Sequence, residues 1–258
     1  MERDLLGFLA GFVIATITSP VGVSGAVFLL PVQLSLFGVP NPQVTPTNLL
    51  YNVVSGPGAL LKYTRQGQLR GPLARNLVVG SAPGVVLGAV LRVYVADDPT
   101  VFKILAAAVL LPTGLMILAS SRPRAARRAR EPLSPRTIVV AAFVVGIVGG
   151  IYGIGGGSIL GPILVGTGLA VSQVAPAALA STFVTSAVGV ATFAVLQVEA
   201  PGSVAPDWSL GIACGLGGLC GGYLGASLQP RMPEALLRTI LGLLAVGLAV
   251  VYAAQVIT

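Results

Sequence analysis

The sequence contains no histidine, and only 8 of its 258 residues are Asp or Glu. Lys and Arg add 15 more, so charged residues make up 9% of the chain, against about 25% in a soluble domain. That is too little charge to coat a globular surface. The missing histidine removes the side chain most often used as a general base or metal ligand near neutral pH. Gly22–Val23–Ser24–Gly25 has the GxSG spacing of a serine nucleophile. Such a serine needs a base to take its proton, and neither a histidine nor a suitably placed lysine offers one. The chain is not read as an enzyme. Cysteine is also scarce. Cys214 and Cys220 stand six apart in one apolar stretch, about 240° around a helix axis, so they read as packing residues. No metal and no cofactor are expected.

Apolar residues replace the charge: 55% of the chain is hydrophobic, with a mean hydropathy of +0.92. Long apolar runs cover Leu73–Val95, Val101–Ser120, Ile138–Tyr152, Ala177–Val198, Trp208–Leu228 and Leu236–Ala254. Runs of about 18 or more such residues read as transmembrane helices, so the fold class is an all-α polytopic membrane protein with the bilayer as a partner. The first residues, MERDLLGFLAGFVIATITSP, set Glu2 and Asp4 against Arg3 and lack a small-x-small cleavage pattern. They read as a first membrane helix rather than a signal peptide. A net charge of +7 would suggest nucleic acid in a soluble protein. Much of the excess sits in one loop, Arg122–Arg136, and a basic loop between membrane helices is a cytoplasmic topology signal. Nucleic acid is not expected as a partner.

The chain repeats itself. Phe12–Pro31 aligns without gaps on Phe143–Pro162, so that Phe12, Gly22, Gly25 and Pro31 match Phe143, Gly153, Gly156 and Pro162. Pro46–Tyr63 falls on Pro176–Phe193, and Leu87–Arg92 answers Leu224–Gln229. Two homologous units are expected, residues 1–120 and 137–258, joined by a basic cytoplasmic linker at 121–136. Each carries four long apolar segments and one short glycine-led segment, Gly25–Val39 and Gly156–Val171, with Pro31 and Pro162 inside. Fifteen residues of helix cover about 22 Å against a bilayer core of about 30 Å, so the short segments read as broken or re-entrant helices, in a total of about eight to ten membrane segments. If they cross, the units are inverted. Lys and Arg then divide into twelve inside and three outside, Arg3, Arg92 and Lys103. Parallel units give eleven and four. Inversion is the favoured reading.

Residues 149–162, GGIYGIGGGSILGP, hold seven glycines and a proline, residues that a helix interior disfavours by about 1 and 3 kcal/mol. A helix that starts within the membrane exposes unpaired N–H groups and the positive end of its dipole. With water excluded this is an anion site. Glycine allows the positive φ values that turn successive N–H groups toward one point. Gly153, Gly155, Gly156, Gly157 and Ser158 are therefore candidate substrate ligands, with Gly22, Ser24 and Gly25 as their first-unit counterparts. On the following helices Asn48, Tyr51 and Asn52 share one face, and Ser181, Thr182 and Thr185 align with Tyr51, Asn52 and Ser55. These neutral polar stripes could complete an anion's shell. The alternatives are glycines that only permit close packing, as Gly217 is read, and polar groups that only bind helix to helix.

GIGGGSILGPIL with QVAPAALASTFVTSAVGV, and PTNLLYNVVSGPGAL in the first unit, resemble the sulfite exporter TauE/SafE family of membrane permeases over nearly the whole chain. The resemblance implies transport of a small sulfur-containing or organic anion, such as sulfite or a sulfonate, across the bacterial cytoplasmic membrane. GVSGA replaces the GxGGG pattern in the first unit, so the two elements are not expected to be equivalent. A passive anion channel, a structural or assembly subunit and a homo-oligomer stay open.

Overall fold

A computed structural model describes residues 2–69, 71–94, 100–120, 133–198 and 205–257. These residues form ten α-helices and no strand: α1 Glu2–Thr18, α2 Ala26–Ser35, α3 Asn41–Arg65, α4 Pro72–Tyr94, α5 Thr100–Ser120, α6 Pro135–Tyr152, α7 Gly157–Gly166, α8 Val171–Leu196, α9 Trp208–Leu228 and α10 Glu234–Ile257. Residues 121–132, which hold most of the basic linker, lie outside the described set. Six spans are long and apolar enough to cross a membrane, built on α1, α4, α6, α8, α9 and α10. The 25-residue α3 is as long as these. Its composition is too polar to qualify, because it carries the inward-facing Thr45, Thr47, Asn48 and Asn52, all buried.

Both glycine clusters break a helix. α1 tightens into a 3-10 turn at Ser19–Val21 and stops at Gly22, whose φ of 76° is left-handed. α6 stops at Gly153 with φ 72°, and Gly155 has φ 69°. Such values are open to glycine and strained for other residues. The short helices that follow are ten residues each, about 15 Å. They end before the expected limits, because Gly38 at φ 60° and Gly168 at φ 110° turn the chain out of helix.

Close approach depends on glycine. A Cβ on Gly11 would strike the Cys214 carbonyl of α9, and one on Gly217 or Gly221 would strike the Phe8 or Phe12 carbonyl of α1. Gly80, Gly84 and Gly88 of α4 meet the Val139, Phe143 and Ile147 carbonyls of α6 in the same way. The helices of each pair therefore run in the same direction and touch backbone to backbone, as small residues permit in membranes. Gly217 thus sits at a close backbone contact with no slack, in keeping with its reading as a packing glycine. Cys214 is buried here, whereas Cys220 is exposed and does not pack. α3 lies against α8 and α9, α4 against α8, and α5 against α10.

Side-chain contacts fix which helix ends share a face. Arg3 pairs with Asp207 at 2.8 Å, the Ser209 hydroxyl donates to Asp4, and the Asp207 N–H donates to Thr47. The starts of α1, α3 and α9 are thereby together. At the opposite end Arg238 donates to the Leu169 carbonyl, Glu234 accepts from the Val171 N–H, and Gln66 donates to the Ala226 carbonyl. This is the linker face, where α5 ends and α6 begins. Arg92, counted from sequence among the outside charges, lies in the last turn of α4 and is buried. It stands one turn past Gly88, which touches α6.

Candidate functional site

The two helix breaks meet inside the bundle. The Ser24 N–H donates to the Ser158 hydroxyl at 3.2 Å, and Ser158 donates to the Ile154 carbonyl at 3.0 Å. Each break is pinned by a long helix from the other half of the chain. Gly22 packs against the backbone of Ala175 in α8, and Gly153 against the Thr45 carbonyl and the Asn48 side chain of α3. Asn52 spans both. It accepts from the Ser24 hydroxyl and donates to the Gly153 carbonyl at 3.4 Å.

At the start of α7, Gly157 lies where an added Cβ would stand 2.6 Å from the Thr182 hydroxyl, and one on Gly155 would stand 2.6 Å from the Thr182 methyl. Thr182 is 3% exposed and its hydroxyl has no partner. Asn48, beside Gly153, is fully buried, and neither amide atom is partnered. Leaving a buried polar group unpaired costs about 1–3 kcal/mol, and native structures leave few. Two of them flank the bare backbone around the second helix break.

Tyr51, Asn52 and Thr182 also line a small cavity, together with Ser24, Gly25 and Phe183. No charged side chain lines it. The remaining candidates are already engaged. Ser181 shares a 2.9 Å hydrogen bond with Ser81 of α4, and Thr185 donates to the Ser181 carbonyl at 2.7 Å. Ser181 fits the helix-to-helix role, whereas Thr185 bonds back within its own helix. Tyr51 is buried with its hydroxyl against Gly25.

Sequence reasoning missed Ser81, which backs onto Gly156 at 2.7 Å from an added Cβ, because a lone serine in an apolar helix carries no pattern. It also missed Gln33, buried in α2 with both amide atoms unpartnered. An amide in so short an apolar helix was the available signal. Among the described residues no group of His, Cys, Asp and Glu could hold a metal ion.

The family model for the sulfite exporter TauE/SafE matches residues 7–252. The chain is 28% identical over 257 residues to the "Probable membrane transporter protein YunE" of Bacillus subtilis (strain 168), covering 88% of each chain. It is 26% identical over 246 residues to the "Probable membrane transporter protein ORF9" of a Sinorhizobium species, covering 94% of this chain and 89% of that one. No solved structure matches significantly. The chain belongs to the sulfite exporter TauE/SafE family over nearly its whole length.

Proposed function

We propose that the protein is a secondary transporter that holds a small anion, a sulfite, sulfonate or similar species, at the start of α7. The backbone N–H groups around Gly155–Ser158 face the anion's oxygens, and Asn48, Asn52 and Thr182 complete the shell. One observation carries this reading: the unpartnered Asn48 amide and Thr182 hydroxyl, buried beside glycines at a broken helix start. Broken helices in matching places of two halves are the usual sequence pointer to a transporter site. The names of the two relatives, both probable membrane transporters, agree with it.

The same proposal takes residues 1–120 and 137–258 as inverted repeats joined by 121–136, in a bacterial cytoplasmic membrane with the linker inside. Support comes from the order long, short, long, long, long, which occurs twice. It comes also from the helix ends, since α1 starts at the face of Asp207 and α6 at the linker face. Purified protein in liposomes, challenged with a panel of anions with and without a pH gradient, tests the function. Saturable flux with counterflow is expected. Conductance without saturation would make it a channel, and no flux of any anion would overturn the reading.

A further inference from the structure

Between α4, α6 and α8 the linker face opens into a cleft lined in part by Gln68, Asn76, Pro135, Ser172 and Gln173. A second, smaller cleft shares Gln68 and Gln173 with it and reaches Ala74 and Ala177. From Ala177, one further turn of α8 leads to Ser181, about 6 Å along the axis. From Ala74, two turns of α4 lead past the fully buried Leu77 to Ser81. The Ser81 and Ser181 hydroxyls touch at 2.9 Å, and Ser81 is held in place by its bond to the Leu77 carbonyl at 2.5 Å. Directly behind Ser81 lies Gly156. Along these two helices Leu77, Ser81 and Ser181 therefore stand between an open, amide-lined cleft and the start of α7.

We infer that this cleft is the route by which substrate reaches the start of α7 from the linker face, and that Ser81 and Ser181 are the contact that closes it. The inference rests on the proposed function for what passes through, not for where the route runs. The described residues that line the cleft include the amides of Gln68, Asn76 and Gln173 and the Ser172 hydroxyl, groups that can hydrogen-bond a small polar solute on its way to the helix start. The closing contact joins two long helices through one pair of hydroxyls, so a small separation of α4 from α8 opens it.

The test uses the full chain with Cys214 and Cys220 replaced by alanine. Asn76→Cys and Gln173→Cys should react with an impermeant thiol reagent applied at the linker face of oriented vesicles and stay silent from the other face. Reaction from the other face overturns the route. In the double variant Ser81→Cys/Ser181→Cys, the two sulfurs take positions within reach of a disulfide. Oxidation should abolish flux, and reduction should restore it. Full flux through completely crosslinked protein overturns the gate, as does failure to crosslink in protein that still labels normally at Asn76→Cys. The labelling and crosslinking need no substrate, so they stand even if the transported species is not an anion.

Discussion

The starts of α2 and α7 each follow a helix that stops at a left-handed glycine, Gly22 and Gly153, and they are finished differently. At α2 the chain supplies its own ligands. The Ser24 hydroxyl accepts the Ala26 N–H at 3.1 Å, and the Tyr51 hydroxyl stands against Gly25, with Gly218 of α9 making room for the ring. At α7 the place of Ser24 is taken by Gly155, the place of Tyr51 by Ser181 and that of Gly218 by Ser81. No side chain caps this helix, and the Thr182 hydroxyl beside it goes unpaired. One start is satisfied internally and the other is left with open hydrogen-bonding capacity. The cavity lies beside the start of α2, and the unpaired Asn48 and Thr182 lie beside the second break, while Thr18 before the first break and Gln33 within α2 are also unpartnered. Asn52 and Thr182 belong to both, so a ligand seated between the breaks can use the space of one and the donors of the other.

The largest effect is expected at Gly156. Gly156→Val drives methyl groups into Ser81 and the ligand's space, and should abolish anion binding and flux in purified, monodisperse protein. Gly156→Ala should be partly rescued by Ser81→Gly, which removes the atom it strikes. Rescue of folding without rescue of binding would mean that the position serves packing alone.

Next come the two unpaired groups, where function and stability should move in opposite directions. Asn48→Leu and Thr182→Val each remove a buried orphan, so thermal stability should hold or rise, by at most about 1–3 kcal/mol. Anion affinity should nonetheless fall about ten-fold or more, the equivalent of about 1.4 kcal/mol. Ser181→Ala is the contrast. It breaks the bond to Ser81 and should lower stability by about 1 kcal/mol, with a smaller change in affinity. If all three lose stability alike, the helix-to-helix role holds throughout.

Much of this comparison is legible in the sequence, for physical reasons. Matched Gly and Pro positions report the breaks, because few other residues adopt φ near +70°, and Gly22 and Gly153 do so. The polar stripes at Asn48, Asn52 and Thr182 report inward faces, because neutral polar groups in apolar helices must go somewhere. The sequence does not say which stripe is already satisfied. Ser181 and Thr182 are adjacent and chemically alike, and only the positions of Ser81 and Gly155 separate their roles. For Gly217 and Arg92 the sequence gives the position but not how closely each is enclosed. Gly217's tolerance depends on a carbonyl of a helix about two hundred residues away, and Arg92 looks like any charge at a helix end.

Smaller effects test the frame around the breaks. Gly217→Ala should destabilise by about 1–3 kcal/mol through its clash with the Phe8 carbonyl. Gly247→Ala, with nothing near its added Cβ, should be neutral or stabilise by up to about 1 kcal/mol. Melting of the two variants side by side in detergent checks this. Arg3→Gln should cost less than about 1 kcal/mol, because the Arg3 side chain is 44% exposed and the pair is screened by solvent.

The most direct test of the α7 site is the response of its backbone N–H groups to an anion. Protein labelled with nitrogen-15 at glycine would be titrated with sulfite, a short sulfonate, sulfate and acetate, and the same preparation assayed for flux. For an anion that is transported, the amide signals of Gly155, Gly156 and Gly157 should shift saturably, and Asn48→Leu should weaken the response. If a transported anion leaves these three signals unmoved, or moves only glycines of α9, the anion is not held at the start of α7.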